Sequence, residues 1–134
     1  MFNSAISLRV RYGETDQMGY VYYGDYAEYF EVARTEALRS LGFSYKSLEE
    51  DGIMLPVFSY SVKYFKPAYY DDILTIKTQV KKLPLVRITF HYETYDQKDV
   101  LLNRAETTLV FISHKSGKPV SAPEKFLSKL REFF

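Results

Sequence analysis

The chain has 134 residues, the size of one domain, with 18 basic and 17 acidic side chains and a formal net charge of +1. This balance provides no field that attracts nucleic acid, and the absence of cysteine excludes disulfides, thiolate metal sites and a thiol nucleophile. The two histidines are too few for a three-histidine metal site. Carboxylates, hydroxyls and backbone dipoles are therefore the expected tools of any catalysis.

The first part of the chain predicts a strand, an irregular loop and a long helix. Apolar and polar residues alternate from Ser4 to Arg11, which is the period of a half-buried strand. Three glycines occur in the next segment, Tyr12 to Gly24, and indicate an irregular connection. From Asp25 to Leu41 the apolar residues recur every three or four positions, which predicts an amphipathic helix.

Both ends of this helix carry sequence signals. Asp25, followed three residues later by Glu28, resembles a capping box in which Asp25 is the N-cap. Gly42 stands where a left-handed C-cap is expected. The segment Ser44 to Asp51 predicts a further short turn of helix.

The second part of the chain predicts a sheet. Its β-rich segments are separated by short connections: Met54 to Lys66, Ile73 to Lys82, Val86 to Tyr95 and Leu101 to Ser113. Short connections between successive long strands favour antiparallel neighbours. A short helix is predicted for the tail that starts at Pro123. The order of elements predicts a single α+β domain over residues 1–134, an antiparallel sheet of about five strands wrapped around one long helix.

The most unusual segment is the loop before the long helix, where Asp16 stands among glycines. The start of a helix presents unpaired N–H groups and partial positive charge, which can stabilise a developing oxyanion. An aspartate a few residues earlier could act on a carbonyl held there, as a nucleophile or a general base. In the alternative interpretation, Asp16 only caps a turn or accepts loop amides.

A family resemblance bears on this choice. The active-site segment of the hotdog-fold thioesterases, in the 4-hydroxybenzoyl-CoA thioesterase and YbgC-like acyl-CoA thioesterase branches, resembles RYGETDQMGYVYYGDYAEYFEVARTEAL, Arg11 to Leu38. The family's YxxPAxxxD segment is similar to VKYFKPAYYDDIL, Val62 to Leu74, and its final strand to Ala105 to Pro123. The resemblance covers nearly the whole chain and implies a hotdog fold and hydrolysis of acyl-CoA thioesters to free acid and CoA.

The resemblance also implies roles for individual residues. Asp16 matches the aspartate that attacks the thioester carbonyl or activates water against it, and Gly19 matches the family glycine. Tyr23 matches the residue whose backbone N–H polarises the carbonyl, so the backbone of Tyr23 and Gly24 is the expected oxyanion site. YbgC-like members commonly have His in place of Tyr23, whereas the 4-hydroxybenzoyl-CoA branch can have Tyr, and the family usually has Asn in place of Asp25. The added charge of Asp25 would raise the pKa of one of the two aspartates if they lie close.

Further residues are candidates for binding the acyl group. Two come from the irregular loop and two from the resemblance: Tyr20, Tyr22, Leu55 and Pro56. Val57, by contrast, is expected to pack in the core. Glu31 resembles an acidic position of the acyl pocket, and its alternative role is that of a solvated or ion-paired glutamate on the helix surface.

Lys82 and Arg87 are the expected cations for the phosphates of coenzyme A, since they lie in a region that resembles the phosphate-contacting strand turn of the family. The alternative is that such basic residues serve solubility and protect sheet edges. No cofactor is expected, because coenzyme A is part of the substrate, and no metal is expected.

The sheet has open edges, which makes edge-to-edge pairing plausible, and the family places its active sites at the subunit interface. A homodimer or homotetramer is therefore expected. The alternative function is a hotdog module that binds acyl-CoA or an aromatic ligand without hydrolysis, because Tyr23 and Asp25 alter the first turn beside Asp16. The sequence shows no signal peptide and no apolar run of bilayer length, so a cytoplasmic protein with no membrane span and no nucleic-acid partner is expected.

Overall fold

The computed structural model describes residues 1–134. The strands are β1 (Phe2–Arg9), β2 (Ile53–Met54), β3 (Val57–Tyr64), β4 (Ile73–Val80), β5 (Arg87–Tyr95), β6 (Leu101–Val110) and β7 (Ile112–Ser113). The helices are α1 (Asp25–Ser40), α2 (Tyr45–Glu50) and α3 (Glu124–Arg131). Five strands form one antiparallel sheet in the order β1-β4-β5-β6-β3, and β2 pairs with β7. The predicted α+β architecture, a five-stranded antiparallel sheet with one long helix, is confirmed.

The apolar core lies between α1 and one face of the sheet. The buried residues of α1 follow the three-and-four spacing of the sequence: Tyr26, Tyr29, Phe30, Ala33, Ala37 and Leu38. Alternate residues of β4 and β5 are buried as well, because successive side chains of a strand point to opposite faces. Phe30 of α1 stacks on Tyr92 of β5 with ring centroids 4.6 Å apart. This packing fixes α1 against the middle of the sheet.

The connection from β3 to β4 crosses the molecule. The two strands are successive in sequence, but β3 lies at one edge and β4 pairs with β1 near the other, so the prediction of neighbouring strands is wrong here. On its way the connection supports the loop between β1 and α1. The N–H of Val21 donates to the carbonyl of Ala68 at 2.9 Å, and Val10 exchanges two backbone hydrogen bonds with Asp71 and Asp72. This crossing therefore fixes the loop that contains Asp16.

Element ends differ from the prediction at several points. β1 begins two residues before Ser4, and the strand predicted from Leu101 to Ser113 is divided into β6 and β7. The strand predicted to contain Pro56 is divided into β2 and β3, since proline cannot donate to a strand ladder. Asp25 is the first residue of α1 and not its N-cap, which is Gly24, so the predicted capping box is wrong. The N–H of Asp25 donates to the carbonyl of Tyr22 instead. Gly42 has φ +88° and confirms the predicted left-handed end of α1.

Two side chains have a different environment from the one predicted. Val57 is 49% exposed and does not pack in the core, because β3 is an edge strand without a neighbour on its outer side. Arg34, on the predicted polar side of α1, is only 8% exposed. Its Nε donates to the hydroxyl of Tyr45 at 2.7 Å, so a phenol and not a carboxylate is its partner.

The tail packs on the end of the molecule formed by β6 and the segment after α1. Phe126 and Leu130 of α3 are fully buried, and the Phe126 ring lies 5.4 Å from Phe43 and 5.8 Å from Phe111. Pro123 is the N-cap of α3, close to the predicted start. None of the helices combines the length and apolar character needed to cross a membrane.

Candidate active site

The loop between β1 and α1 folds into a tight turn that presents Asp16. The N–H of Asp16 donates to the carbonyl of Tyr20 at 3.0 Å, and the N–H of Gly19 donates to the carbonyl of Asp16 at 2.9 Å. Gly19 has φ +86°, a conformation that glycine adopts without steric cost. Asp16 Oδ1 accepts the N–H of Met18 at 2.9 Å, which is the turn-capping contact of the alternative interpretation, while no protein group donates to Oδ2. One carboxylate oxygen is thus free.

The start of α1 presents backbone donors without acceptors. The N–H groups of Asp25 and Tyr26 donate to the carbonyls of Tyr22 and Tyr23, at 3.0 and 3.3 Å. The N–H groups of Tyr23 and Gly24 donate to no protein oxygen. A Cβ on Gly24 would lie only 2.6 Å from Cε2 of Tyr22, so the close packing of this ring favours glycine. Two free N–H groups at the positive end of a helix can accommodate an anion.

Asp16 and Tyr23 line the same cavity of about 330 Å³. The other residues around it are mostly aromatic or apolar: Met18, Tyr20, Val21, Tyr26, Tyr64, Phe65, Lys66 and Pro67. Of the predicted site residues, the structure therefore brings Asp16, Tyr20 and Tyr23 together. The sequence analysis does not predict the wall from Tyr64 to Pro67 as part of the site. The segment VKYFKPAYYDDIL, which contains these residues and resembles a family motif, could have indicated it.

The remaining residues predicted to bind the acyl group lie outside this cavity. Tyr22 packs against Tyr23 with ring centroids 4.8 Å apart. Glu31 is exposed on α1 and forms no ion pair. Leu55 is half-buried and Pro56 is exposed, both between β2 and β3. Their binding roles stay predictions.

Acidic side chains surround the start of α1. Burial, and after it the carboxylates of Glu28 and Glu14, raises the pKa of Asp25 above its usual value, while Arg11 acts in the opposite direction. The direction of this shift agrees with the prediction, but Asp16 is not its source.

Lys82 and Arg87 lie at the opposite end of the sheet, where they line a second cavity of about 680 Å³ with Lys81 and His91. The Arg87 guanidinium lies over the ring of Phe58, with Cζ 4.1 Å from the centroid, so this cation reaches the edge strand β3. Burial and the charge of Lys81 lower the pKa of His91, although Glu106 lies 3.3 Å away and opposes the shift. The second cavity therefore has a cationic lining.

Comparisons with known sequences identify the family of the chain. The sequence model of the thioesterase-like superfamily matches residues 10–130. Acyl-CoA thioester hydrolase YbgC of Escherichia coli O157:H7 is 31% identical over 125 residues, which are 93% of this chain and 93% of the relative. Acyl-CoA thioesterase YbgC of Haemophilus influenzae is 32% identical over 119 residues, 88% of this chain and 87% of the relative.

Comparisons with solved structures identify the fold. A DHNA-CoA thioesterase from Staphylococcus aureus has a TM-score of 0.91 and 34% sequence identity, over 99% of this chain and 93% of that protein. A mutant 4-hydroxybenzoyl CoA thioesterase in complex with 4-hydroxybenzoyl CoA has a TM-score of 0.86 at 20% identity, over 96% and 99% of the two chains. The chain therefore has the hotdog fold and belongs to the thioesterase-like superfamily.

Proposed function

We propose that the protein hydrolyses acyl-CoA thioesters, with Asp16 as nucleophile or general base and the start of α1 as the oxyanion site. The observation that carries this proposal is the cavity shared by Asp16 and Tyr23, where a carboxylate with a free oxygen lies beside a helix start with free N–H groups. The YbgC relatives are an acyl-CoA thioester hydrolase and an acyl-CoA thioesterase, which supplies the substrate class.

The thioester carbonyl oxygen accepts the backbone N–H groups of Tyr23 and Gly24. When a nucleophile adds to the carbonyl carbon, negative charge develops on this oxygen, and donors that are already in place stabilise it without reorganisation. Because the donors are backbone groups, a tyrosine at position 23 serves as well as the histidine that is common in relatives. The oxyanion then collapses, the C–S bond breaks and coenzyme A leaves as the thiolate.

Asp16 acts in one of two ways. As a general base it takes a proton from water, the resulting hydroxide adds to the carbonyl carbon, and the proton is finally delivered to the thiolate. As a nucleophile its carboxylate oxygen adds to the carbonyl carbon and expels the thiolate, and water then cleaves the anhydride that forms. Both routes consume one water molecule and yield a carboxylic acid and coenzyme A.

The coenzyme A phosphates are assigned to Lys82 and Arg87 of a partner subunit. Phe58, below Arg87, and Tyr64, at the catalytic cavity, lie on the same strand about 20 Å apart at about 3.3 Å per residue. An antiparallel pairing of two β3 edges about a twofold axis places the start of one β3 beside the end of the other. The partner's Arg87 thereby approaches this protomer's catalytic cavity.

The exposed surface of β3 supports a dimer of this kind. Four apolar or aromatic side chains of this edge strand are exposed: Val57, Phe58, Tyr60 and Tyr64. Open edges and contiguous apolar surface are both features of protein interfaces. We therefore assign the protein as a homodimer with two catalytic cavities at the shared edge.

The test of this function is thiol release from a panel of short-chain, long-chain and aromatic acyl-CoAs. The substitution Asp16→Asn is expected to lower kcat by about 100-fold or more, because general bases contribute about 10²–10⁴-fold to rates. Asp96→Asn is the matched control: Asp96 Oδ1 accepts the N–H of Lys98 at 2.9 Å, the same turn contact that Asp16 makes with Met18. This control separates the loss of a catalytic carboxylate from the effect of an Asp→Asn change on the turn.

Full turnover by the folded Asp16→Asn variant would contradict the assignment of Asp16. If the wild-type protein is stabilised against thermal unfolding by acyl-CoA but releases no thiol, the protein is a binding module and the proposed reaction is wrong.

A further inference from the structure

Glu14 is the only buried carboxylate of the protein, with 8% of its surface exposed. A buried carboxylate is costly unless hydrogen bonds and opposite charge compensate for lost water. Here the compensation is complete. Oε1 accepts the backbone N–H of Arg11 at 2.8 Å and the hydroxyl of Tyr29 at 2.8 Å. Oε2 accepts two N–H groups of the Arg11 guanidinium at 3.2 and 3.0 Å.

These contacts join the two halves of the candidate active site. Glu14 precedes Asp16 by two residues, and its carbonyl accepts the N–H of Tyr22 at 2.9 Å, which closes the base of the turn that presents Asp16. Tyr29 belongs to α1, whose start carries the free N–H groups of Tyr23 and its neighbour. A single carboxylate therefore connects the Asp16 turn to the helix that provides the oxyanion site.

We propose that Glu14 is a positioning residue, which acts through Tyr29 to hold Asp16 at a fixed distance from the start of α1. This inference rests on the proposed function. Glu14 does not line the catalytic cavity, so it does not touch the substrate. Its effect is on geometry, and a misplacement of about 1 Å between reacting groups can reduce a rate by about 100-fold.

The protonation state of Glu14 is consistent with this role. Burial opposes ionisation, but hydrogen bonds from the Arg11 amide, the Tyr29 hydroxyl and the Arg11 guanidinium outweigh it, so the pKa of Glu14 lies below its usual value. The carboxylate form, which accepts all these bonds, is therefore the form present at neutral pH.

The test compares kcat and KM for an acyl-CoA substrate across a small series of variants. Tyr29→Phe removes the hydroxyl that joins α1 to Glu14 and keeps the ring in the core. We expect it to lower kcat by about tenfold or more and to change KM by less than about twofold, since substrate contacts are intact. Glu14→Ala is expected to lower kcat further, and Glu14→Gln, which keeps an oxygen at Oε1, to recover most of the rate.

Tyr92→Phe is the matched control, because it also removes one buried hydroxyl, whose partner is the Thr107 side chain at 2.6 Å. We expect this variant to lose similar thermal stability but to keep the wild-type kcat. The double variant of Glu14→Ala and Tyr29→Phe should be no slower than Glu14→Ala alone, because both changes break the same link.

The proposal is overturned if Tyr29→Phe keeps the wild-type kcat while its unfolding temperature falls as much as that of Tyr92→Phe. Additive losses of kcat in the double variant would overturn it as well. Failure of the proposed function is recognised separately, since it shows as full turnover by Asp16→Asn or as no thiol release by the wild-type protein.

Discussion

Thr94 and Thr107 are both fully or almost fully buried on the inner face of the sheet, in the neighbouring strands β5 and β6. The Thr107 hydroxyl shares a hydrogen bond of 2.6 Å with the hydroxyl of Tyr92. The Thr94 hydroxyl has no partner. Sequence alternation predicts that both positions face inward, but it does not distinguish a paired hydroxyl from an unpaired one, because the partner comes from another strand.

The substitution of valine for threonine is expected to have opposite effects at these two positions. Thr94→Val removes an unsatisfied buried hydroxyl and should raise the free energy of unfolding by about 1 kcal/mol. Thr107→Val removes the hydrogen bond between the Thr107 and Tyr92 hydroxyls and should lower the free energy of unfolding by about 1 kcal/mol. Urea unfolding of both variants beside the wild type checks this, and a change of the same sign in both would contradict it.

Asp16 and Glu14 show how much the sequence reveals about single residues of the candidate site. The glycine flanks and the family resemblance both indicate Asp16, and the structure places it in a cavity with Tyr23. The sequence does not indicate a role for Glu14, two residues earlier, since a glutamate in a polar loop is normally exposed. Its burial follows from Tyr29, a residue of the helix that folds over it, so only the folded chain shows its connection to Asp16.

Among the elements, β3 departs most from what its composition predicts. Its segment is rich in β-formers and apolar residues, which is typical of a central strand, yet β3 is an edge with five successive exposed residues at its start. The crossing connection after β3 is the reason, because it takes the chain to the other side of the sheet and leaves β6 as the only neighbour of β3. The apolar surface of β3 is therefore available to a second copy.

A charge introduced on this edge should prevent pairing. Val57→Lys places an ammonium group on β3, and lysine is a common device against edge-to-edge association. We expect the variant to elute as a monomer in size-exclusion chromatography with light scattering and to lose thioesterase activity. Val32→Lys is the control, since Val32 is similarly exposed, at 43% against 49%, but lies on α1.

A dimeric Val57→Lys variant with wild-type activity would show that β3 is not the subunit interface. If the Val32→Lys control also became monomeric, the loss of association would reflect added charge in general.

At the scale of the whole molecule, the candidate catalytic and phosphate-binding groups of one chain lie at opposite ends of its sheet. In the proposed dimer, a twofold axis at the β3 edge places the phosphate-binding groups of one chain beside the catalytic cavity of the other.

Mixed dimers test this arrangement directly. Asp16→Asn and Arg87→Ala homodimers are both expected to be weakly active at low substrate concentration. In a mixed dimer with shared sites, one site combines the wild-type Asp16 of one subunit with the wild-type Arg87 of the other, and the second site carries both substitutions. About half of the wild-type activity should therefore return. Tandem affinity purification with two different tags isolates the mixed dimer for assay. Activity no higher than that of the parent homodimers would contradict sharing in trans.

The sequence by itself determined most elements of this protein and indicated its candidate catalytic segment. Periodicity of two and of three or four residues located the strands and α1, because burial of one face imposes these repeats locally. The loop motif indicated Asp16, since its signal is also local. Tertiary structure decided the strand order, the edge position of β3, the burial of Glu14 and Arg34 and the far wall of the cavity. Each of these depends on contacts between segments distant in the chain, which no local pattern encodes.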